Sequence, residues 1–160
     1  LAMNSLLVFY SRKGRTKKIA ELISSSLNCE YEEIIDTKKR TGFIIGFLKC
    51  GYAATREKLT TIKECKKNSE LFDLILLGTP IWNSRMTPAI RTYITNNLSK
   101  FKNVAFFCTE GGSGGPKAFK SMSKLCEKEP LSTLEITKKD IKNDIHIDKI
   151  NSFIQDIKRA

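Results

Sequence analysis

Three polar stretches follow apolar runs, and their residue types suit the binding of a phosphorylated ligand. The first, SRKGRT at 11–16, comes directly after SLLVFY. Ser11 and Thr16 carry hydroxyls that can hydrogen-bond a phosphate, and Gly14 lets the backbone approach closely. Positive charge comes from the three bases of the stretch: Arg12, Lys13 and Arg15. A helical pattern begins at Thr16, so the stretch meets the unpaired N–H groups of a helix N-terminus. By itself, so short a pattern is more typical of an ordinary capped turn.

The other two stretches suit a planar ligand. The second, GTPIWNSRMTP at 78–88, contains Trp82, the only tryptophan of the chain. An indole just past a buried strand either covers the core or stacks on a flat ligand. The third, TEGGSGG at 109–115, has four glycines. It is either a flexible turn or a place where main-chain N–H groups lie flat against a ligand. The three stretches together indicate a flat aromatic ligand with a phosphate.

The elements that position these stretches alternate between strand and helix. Apolar runs predict strands at 5–10, 29–36, 71–79, 103–109 and 131–137. Helical spacing predicts helices from Thr16, over 42–58, from Thr87–Pro88, over 116–128 and at the C-terminus. This alternation predicts one α/β domain over 1–160, with a mostly parallel sheet and right-handed crossovers. Ligands bind beyond the carboxyl ends of such strands, where the three stretches lie.

The net charge and the lengths of the apolar runs limit the classes of protein to which the chain can belong. The net charge is +11, from 28 Lys and Arg against 17 Asp and Glu. Because the lysines lie in scattered pairs without interleaved aromatics, the pattern favours a solvated surface over nucleic-acid binding, and an acidic protein partner remains open. The apolar runs are too short to span a bilayer, and no signal peptide is visible. We expect Leu1 and Ala2, which precede Met3, to be a cloning remnant.

Five cysteines and one histidine bear on redox state and metals. The cysteine number is odd and no pair has C-x-x-C spacing, which favours reduced thiols in a cytoplasmic protein over disulfides or a zinc site. With His146 as the single histidine, a histidine-based metal site is not expected.

The segments VFYSRKGRTKKIAELI, DLILLGTPIWNSRMTPAIRTYI and FFCTEGGSGG resemble, in this order, the three flavin-contacting segments of the flavodoxin family. The resemblance implies a flavodoxin-like doubly wound sheet of five parallel strands, in the order 2-1-3-4-5, with one bound FMN. It implies that 11–16 hold the phosphate, that Trp82 lies against the isoalloxazine ring and that 110–113 pack along it. The implied cofactor-binding residues are Ser11, Arg12, Lys13, Gly14, Arg15, Thr16, Thr79, Pro80, Ile81, Trp82, Asn83, Ser84, Thr109, Glu110, Gly111, Gly112 and Ser113.

Two departures from the family pattern affect the expected activity. The usual first loop is closer to S-x-T-G-N-T, whereas Lys13 and Arg15 occupy two of these positions here. The third loop has no aromatic residue to cover the outer face of the ring, and an open face would suit a nicotinamide or a quinone. Typical flavodoxins are acidic, so a chain of charge +11 should also make the second one-electron reduction of the flavin easier.

Several functions stay open on the sequence alone. The favoured one is electron transfer between protein partners, and an NAD(P)H-dependent FMN or quinone reductase is the alternative. A third hypothesis is that the protein is a serine hydrolase, because residues 111–115 match the pattern G-x-S-x-G with Ser113 as nucleophile. Asp140 or Asp144 and then His146 would complete its triad. The last is a flavodoxin-like binding module that has lost its cofactor.

Overall fold

A five-stranded parallel sheet forms the centre of the computed structural model, which describes residues 2–38 and 57–160. The strands are β1 (Ser5–Phe9), β2 (Glu30–Glu33), β3 (Leu74–Pro80), β4 (Asn103–Glu110) and β5 (Thr133–Thr137). Their order is β2-β1-β3-β4-β5, and every neighbouring pair is parallel. The strand order expected from the sequence is therefore confirmed.

The described helices connect the strands. They are α1 (Arg15–Leu27), α2 (Pro88–Asn97), α3 (Gly115–Cys126), α4 (Lys138–Lys142) and α5 (His146–Arg159), with short 3-10 turns at Ser69–Leu71 and Leu98–Lys100. The start of α2 is as predicted: the Thr87 side chain accepts the N–H of Ile90, and Pro88 occupies the first turn. The helix predicted over 42–58 falls, except for its last two residues, outside the described part of the chain.

The three central strands, β1, β3 and β4, are buried on both faces, which explains their unbroken apolar runs. Leu6 and Val8 of β1 join the core under α2 and α3, whereas Leu7 and Phe9 join the core under α1 and α5. Successive side chains of a strand point to opposite faces, so in a strand that is covered on both faces every position favours an apolar residue. The sheet is thus a rigid layer whose carboxyl edge carries the loops.

Two elements of the structure differ from the prediction. The third strand begins at Leu74 rather than 71, because Leu71 ends a 3-10 turn capped by Asn68 and is 69% exposed. At the C-terminus, the predicted helix corresponds to α5, and the structure adds the shorter α4 before it. Thr137 and Asp140 form a capping box that starts α4, and Asp144 between the two helices has a φ of 56°.

The described cysteines are reduced. Cys29, Cys65, Cys108 and Cys126 are free thiols, whereas Cys50 lies outside the described residues. Among residues 2–38 and 57–160, no three His, Cys, Asp or Glu side chains are grouped as metal ligands would be. No helix within those ranges has the length and apolar character needed to cross a bilayer.

Candidate functional site

Direct contacts join the carboxyl ends of β1, β3 and β4. The Tyr10 N–H donates to the Gly78 carbonyl (3.1 Å), and the Ile81 N–H donates to the Thr109 carbonyl (2.9 Å). Between the start of α1 and the end of β4, the hydroxyls of Thr16 and Thr109 lie 2.8 Å apart. The first loop (11–14), the second loop (81–87) and the third loop (111–114) therefore meet at one edge, as the sequence predicted.

The first loop leads into α1 as an anion-binding turn would. The Ser11 hydroxyl oxygen accepts the N–H groups of Gly14 (3.0 Å) and Lys17 (3.3 Å). Gly14 has a φ of 89°, which favours glycine, and a Cβ there would meet nothing within 4 Å. The Lys18 N–H makes a helical bond to the Gly14 carbonyl, so the Arg15 and Thr16 N–H groups precede the intrahelical ladder. Those two N–H groups can bind an anion.

The side chains of the first loop are divided between core and surface. Thr16 is 1% exposed and its hydroxyl is bonded to Thr109, so only its N–H faces the helix terminus. Arg12 and Arg15 are half-buried, and Lys13 is exposed. Arg12, Lys13 and Arg15 thus place three positive charges at or just before the first turn of α1, and residues 11–16 contain no acidic residue.

The second loop turns sharply around Asn83 and Ser84. Trp82 and Arg85 exchange backbone hydrogen bonds of 3.0 and 3.1 Å, and both intervening residues have positive φ, at 51° and 60°. Two consecutive positive φ values indicate a type I′ turn. The turn presents Asn83 to solvent and brings the Arg85 guanidinium within 3.2 Å of the Asn83 carbonyl, to which it donates.

The indole of Trp82 lies at the boundary between core and surface. It is half-buried and meets Tyr10 edge to face, with ring centroids 5.7 Å apart and planes at 88°. Tyr10 itself is buried, so it fixes the side of the indole that faces the core. Tyr10 therefore holds the indole of Trp82 in place beside the first loop.

Buried threonine hydroxyls hold the base of the second loop. Thr79 is fully buried, and its hydroxyl oxygen accepts the Thr87 N–H at 3.1 Å. The same hydroxyl donates to the Pro80 carbonyl at 2.8 Å. Pro80 and Ile81 are half-buried. Thr79 thereby joins the two ends of the loop.

The third loop is open on one side and tightly packed on the other. Gly111, Gly112 and Ser113 are exposed, and a Cβ on Gly112 would meet nothing within 4 Å. Gly114 has a φ of 118°, and a Cβ there would lie 2.8 Å from the Cα of Ser84. The second and third loops are thus in van der Waals contact, which leaves the exposed glycine backbone facing outward.

Glu110 ends β4 beneath the third loop. It is 3% exposed, and in the described part of the chain neither of its carboxylate oxygens has a hydrogen-bond partner. Burial and the neighbouring carboxyl of Glu135 raise the pKa of Glu110 to about 7. Its side chain is therefore a buried acid that changes its protonation state near neutral pH.

The residues of the hydrolase hypothesis are not arranged as a triad. Ser113 is exposed, whereas His146 is buried at the start of α5, and its Nδ1 has no hydrogen-bond partner among the described residues. Asp140 accepts the Thr137 N–H and the Lys149 ammonium, both at 2.8 Å. Asp144 is exposed at its positive-φ position. The G-x-S-x-G pattern instead forms the tight third loop.

Two residues on which the site depends were not predicted from the sequence. Tyr10 supports Trp82, and its place at the end of an apolar strand was the available signal. Glu135 stands beside Glu110, and nothing in the alternating run LSTLEIT indicated it, because that contact depends on how β5 is aligned with β4. The binding roles predicted for the other site residues remain predictions.

Solved structures show what this arrangement is similar to. The chain superposes on a Lactobacillus acidophilus flavoprotein in complex with FMN, with a TM-score of 0.71 and 21% identity over 91% of this chain and 99% of that one. It also superposes on two-electron reduced flavodoxin of Megasphaera elsdenii (TM-score 0.56, 17% identity, 84% and 86% coverage). A third superposition is on oxidised flavodoxin 1 of Bacillus cereus, with a TM-score of 0.54 and 18% identity over 95% of this chain and 97% of that one. No protein-family model and no curated protein matches the chain. The chain has the flavodoxin-like fold.

Proposed function

We propose that this protein binds one FMN at the carboxyl edge of its sheet and transfers electrons between protein partners. The observation that supports this most is the meeting of the three loops there. They combine the first turn of α1, the supported indole of Trp82 and the exposed backbone of Gly111 and Gly112. The similarity to a flavoprotein in complex with FMN supports the same cofactor.

The first loop fits the phosphate. Gly14 leaves open space where a side chain would stand, and the N–H groups of Arg15 and Thr16 precede the helical ladder. The Ser11 hydroxyl accepts two N–H groups, and its own proton is left to donate to a phosphate oxygen. Arg15 and Lys13 supply the charge that a dianion needs. The helix dipole of α1 acts in the same direction.

The second and third loops fit a flat ring. Trp82, held edge-on by Tyr10, provides an apolar surface, and the glycine backbone of the third loop provides N–H and C=O groups without side chains in the way. FMN would supply reversible one- and two-electron chemistry. The protein contributes orientation and electrostatics, and the cations of the first and second loops favour extra negative charge at the site.

An NAD(P)H-dependent FMN or quinone reductase is the second candidate. The third loop favours it, because Gly111, Gly112 and Ser113 are exposed and carry no aromatic side chain that could cover a ring. A ring exposed on that side could accept hydride from a nicotinamide or pass electrons to a quinone. The two candidates share the cofactor and differ in whether a small molecule reacts directly at the ring.

The charge of the protein favours acidic redox partners. The excess of cations is 28 against 17, and Arg12, Lys13, Arg15 and Arg85 belong to the loops of the site. Opposite charge accelerates encounter between proteins, and salt weakens this effect. We therefore expect electron transfer with an acidic partner to slow as ionic strength rises.

Two measurements test the proposed function. The protein is stripped of flavin and titrated with FMN and riboflavin while flavin fluorescence is followed. We expect saturable 1:1 binding of FMN and weaker binding of riboflavin; no saturable binding of either would contradict the proposal. The FMN-loaded protein is then mixed anaerobically with NADH or NADPH. Slow or no bleaching supports the carrier, whereas bleaching at catalytic rates supports the reductase.

A further inference from the structure

We propose that Glu110 and Glu135 form a proton-sharing carboxyl pair that holds the third loop in its ligand-binding position, so that ionisation of Glu110 weakens FMN binding. Glu110 acts here as a positioning residue, through the start of α3. The inference rests on the proposed FMN function, and one of its readouts does not require FMN.

The alignment of two strands brings the carboxyl groups to one face of the sheet. Cys108 of β4 is paired with Glu135 of β5 in the parallel register, and paired residues lie side by side. Glu110 is two residues beyond Cys108 and thus points to the same face as Cys108. That face carries the core under α3, so both carboxyl groups lie beneath the first residues of this helix.

The buried carboxyl of Glu110 lacks the hydrogen bond that burial demands. Its two oxygens are inaccessible, and no donor in the described part of the chain reaches them with full hydrogen-bond geometry, although the Gly115 N–H faces Glu110. An ionised carboxylate so placed is costly. A proton on Glu110 removes the charge and gives the carboxyl a donor that Glu135 can accept. One proton on Glu110 therefore removes a buried charge and also forms a hydrogen bond between the two carboxyl groups.

The Glu135 carboxyl also lies beside Gly115, the first residue of α3, which directly follows the third loop. A Cβ on Gly115 would lie 2.7 Å from Oε2 of Glu135, so a side chain there would require the Glu135 carboxyl to move. The preceding residue, Gly114, is packed against Ser84 of the second loop with similar closeness. A displacement of the Glu135 carboxyl would therefore be passed through Gly115 and Gly114 to both loops.

Charged and titratable groups surround the pair on several elements. β4 contributes Cys108, and α5 contributes Lys149, whose ammonium donates to the Glu135 carbonyl at 3.2 Å and to Asp140 of α4 at 2.8 Å. Burial raises the pKa of the Cys108 thiol far above neutrality, so the thiol does not titrate with the pair. From α3, the N–H of Gly115 faces Glu110. This N–H and the Lys149 ammonium both favour ionisation of Glu110. Burial and the Glu135 carboxyl oppose that ionisation more strongly.

Ionisation of Glu110 would place two negative charges together in a buried site. The pair would separate, and the contact of Glu135 with Gly115 would be disturbed. Below neutrality Glu110 keeps its proton, and the loop is held. FMN affinity should accordingly fall as the pH rises through neutrality.

The decisive experiment measures FMN dissociation constants between pH 6 and 8.5 for the wild type, Glu110→Gln and Glu135→Gln. The second phosphate proton of FMN has a pKa near 6, so its titration is common to all proteins and cancels in the ratio of wild type to variant. We expect this ratio to rise about tenfold over the range for each variant, equivalent to ~1.4 kcal/mol. The control, exposed Glu64→Gln, should follow the wild type throughout.

A ratio that stays flat for both variants would overturn the inference. The second readout uses the flavin-free wild type with 13C-labelled glutamate carboxyls. One carboxyl titrating near neutrality, together with the amide signals of Gly111 to Gly115, would support the pair. Titration of every glutamate in the ordinary acidic range would refute it. Absence of FMN binding alone would refute only the proposed function, since the carboxyl titration would still decide this question.

Discussion

Gly114 lies so close to Ser84 that a Cβ on Gly114 would be 2.8 Å from the Ser84 Cα. Ser84 is in the type I′ turn of the second loop, and Gly114 precedes the first residue of α3. The contact is between backbones and has little freedom to relax. It joins the loop that carries Trp82 to the loop that exposes glycine, so the two sides of the site are positioned together.

Gly114→Ala should destabilise the protein by about 2–4 kcal/mol, because it adds a backbone clash to a φ of 118°. Urea unfolding followed by circular dichroism measures this. Gly112→Ala is the matched control, since a Cβ there meets nothing within 4 Å; its unfolding free energy should change by less than about 0.5 kcal/mol. Equal losses for the two variants would contradict the tight contact.

The hydrogen bond between Thr16 and Thr109 should appear as a coupling energy. Each single change, Thr16→Val or Thr109→Val, leaves one buried hydroxyl without its partner and should cost about 1–2 kcal/mol. The double variant removes both hydroxyls and should cost less than the sum, by about 0.5–1.5 kcal/mol. Denaturant unfolding of all four proteins gives the value, and strict additivity would argue against the bond.

Arg15→Gln should weaken FMN binding by about tenfold, or ~1.4 kcal/mol, through the loss of a charge at the phosphate. Riboflavin has no phosphate, so its affinity should be unchanged in this variant. Lys158→Gln, near the exposed end of α5, serves as the control for a general charge effect. An equal loss of affinity for FMN and riboflavin would place Arg15 away from the phosphate.

Arg85→Gln should make the second one-electron reduction of bound FMN more difficult. The Arg85 guanidinium lies in the second loop, where its charge favours the added electron. We expect a negative shift on the order of 20–60 mV, since 59 mV corresponds to about 1.4 kcal/mol for one electron. Lys102→Gln, at the amino end of β4 and paired with Asp73, should not shift the potential. Anaerobic redox titration with reference dyes measures both.

Glu110 should make folding stability fall as the pH rises. Its pKa is raised to about 7 in the folded protein from an ordinary value of 4.5, so its favourable contribution is complete below about pH 4.5 and is lost through pH 7. Relative to Glu110→Gln, the wild type should lose about 1–3 kcal/mol between pH 5 and 8. Chemical denaturation at each pH tests this, and parallel curves for the two proteins would disprove the shift.

The sequence by itself determined the layered fold and the identity of the three loops. Continuous apolar runs such as LILL in β3 are explained only by strands buried on both faces, and Thr87–Pro88 specifies a helix start through local chemistry. The strand order followed from the resemblance to the flavodoxin family. The layered fold and the helix start depend on periodicity and on residues close in the chain, whereas the strand order does not.

The tertiary structure alone decided how the loops touch and which polar groups are buried. Thr16 and Thr109 are 93 residues apart in sequence, and their side chains meet only because α1 packs against the sheet at the end of β4. Glu110 and Glu135 are neighbours because β5 is aligned with β4 in one particular register. A shift of two residues that paired Glu135 with Phe106 would keep the same faces buried and separate the carboxyls. Such contacts depend on three-dimensional packing, which the local pattern of residues does not encode.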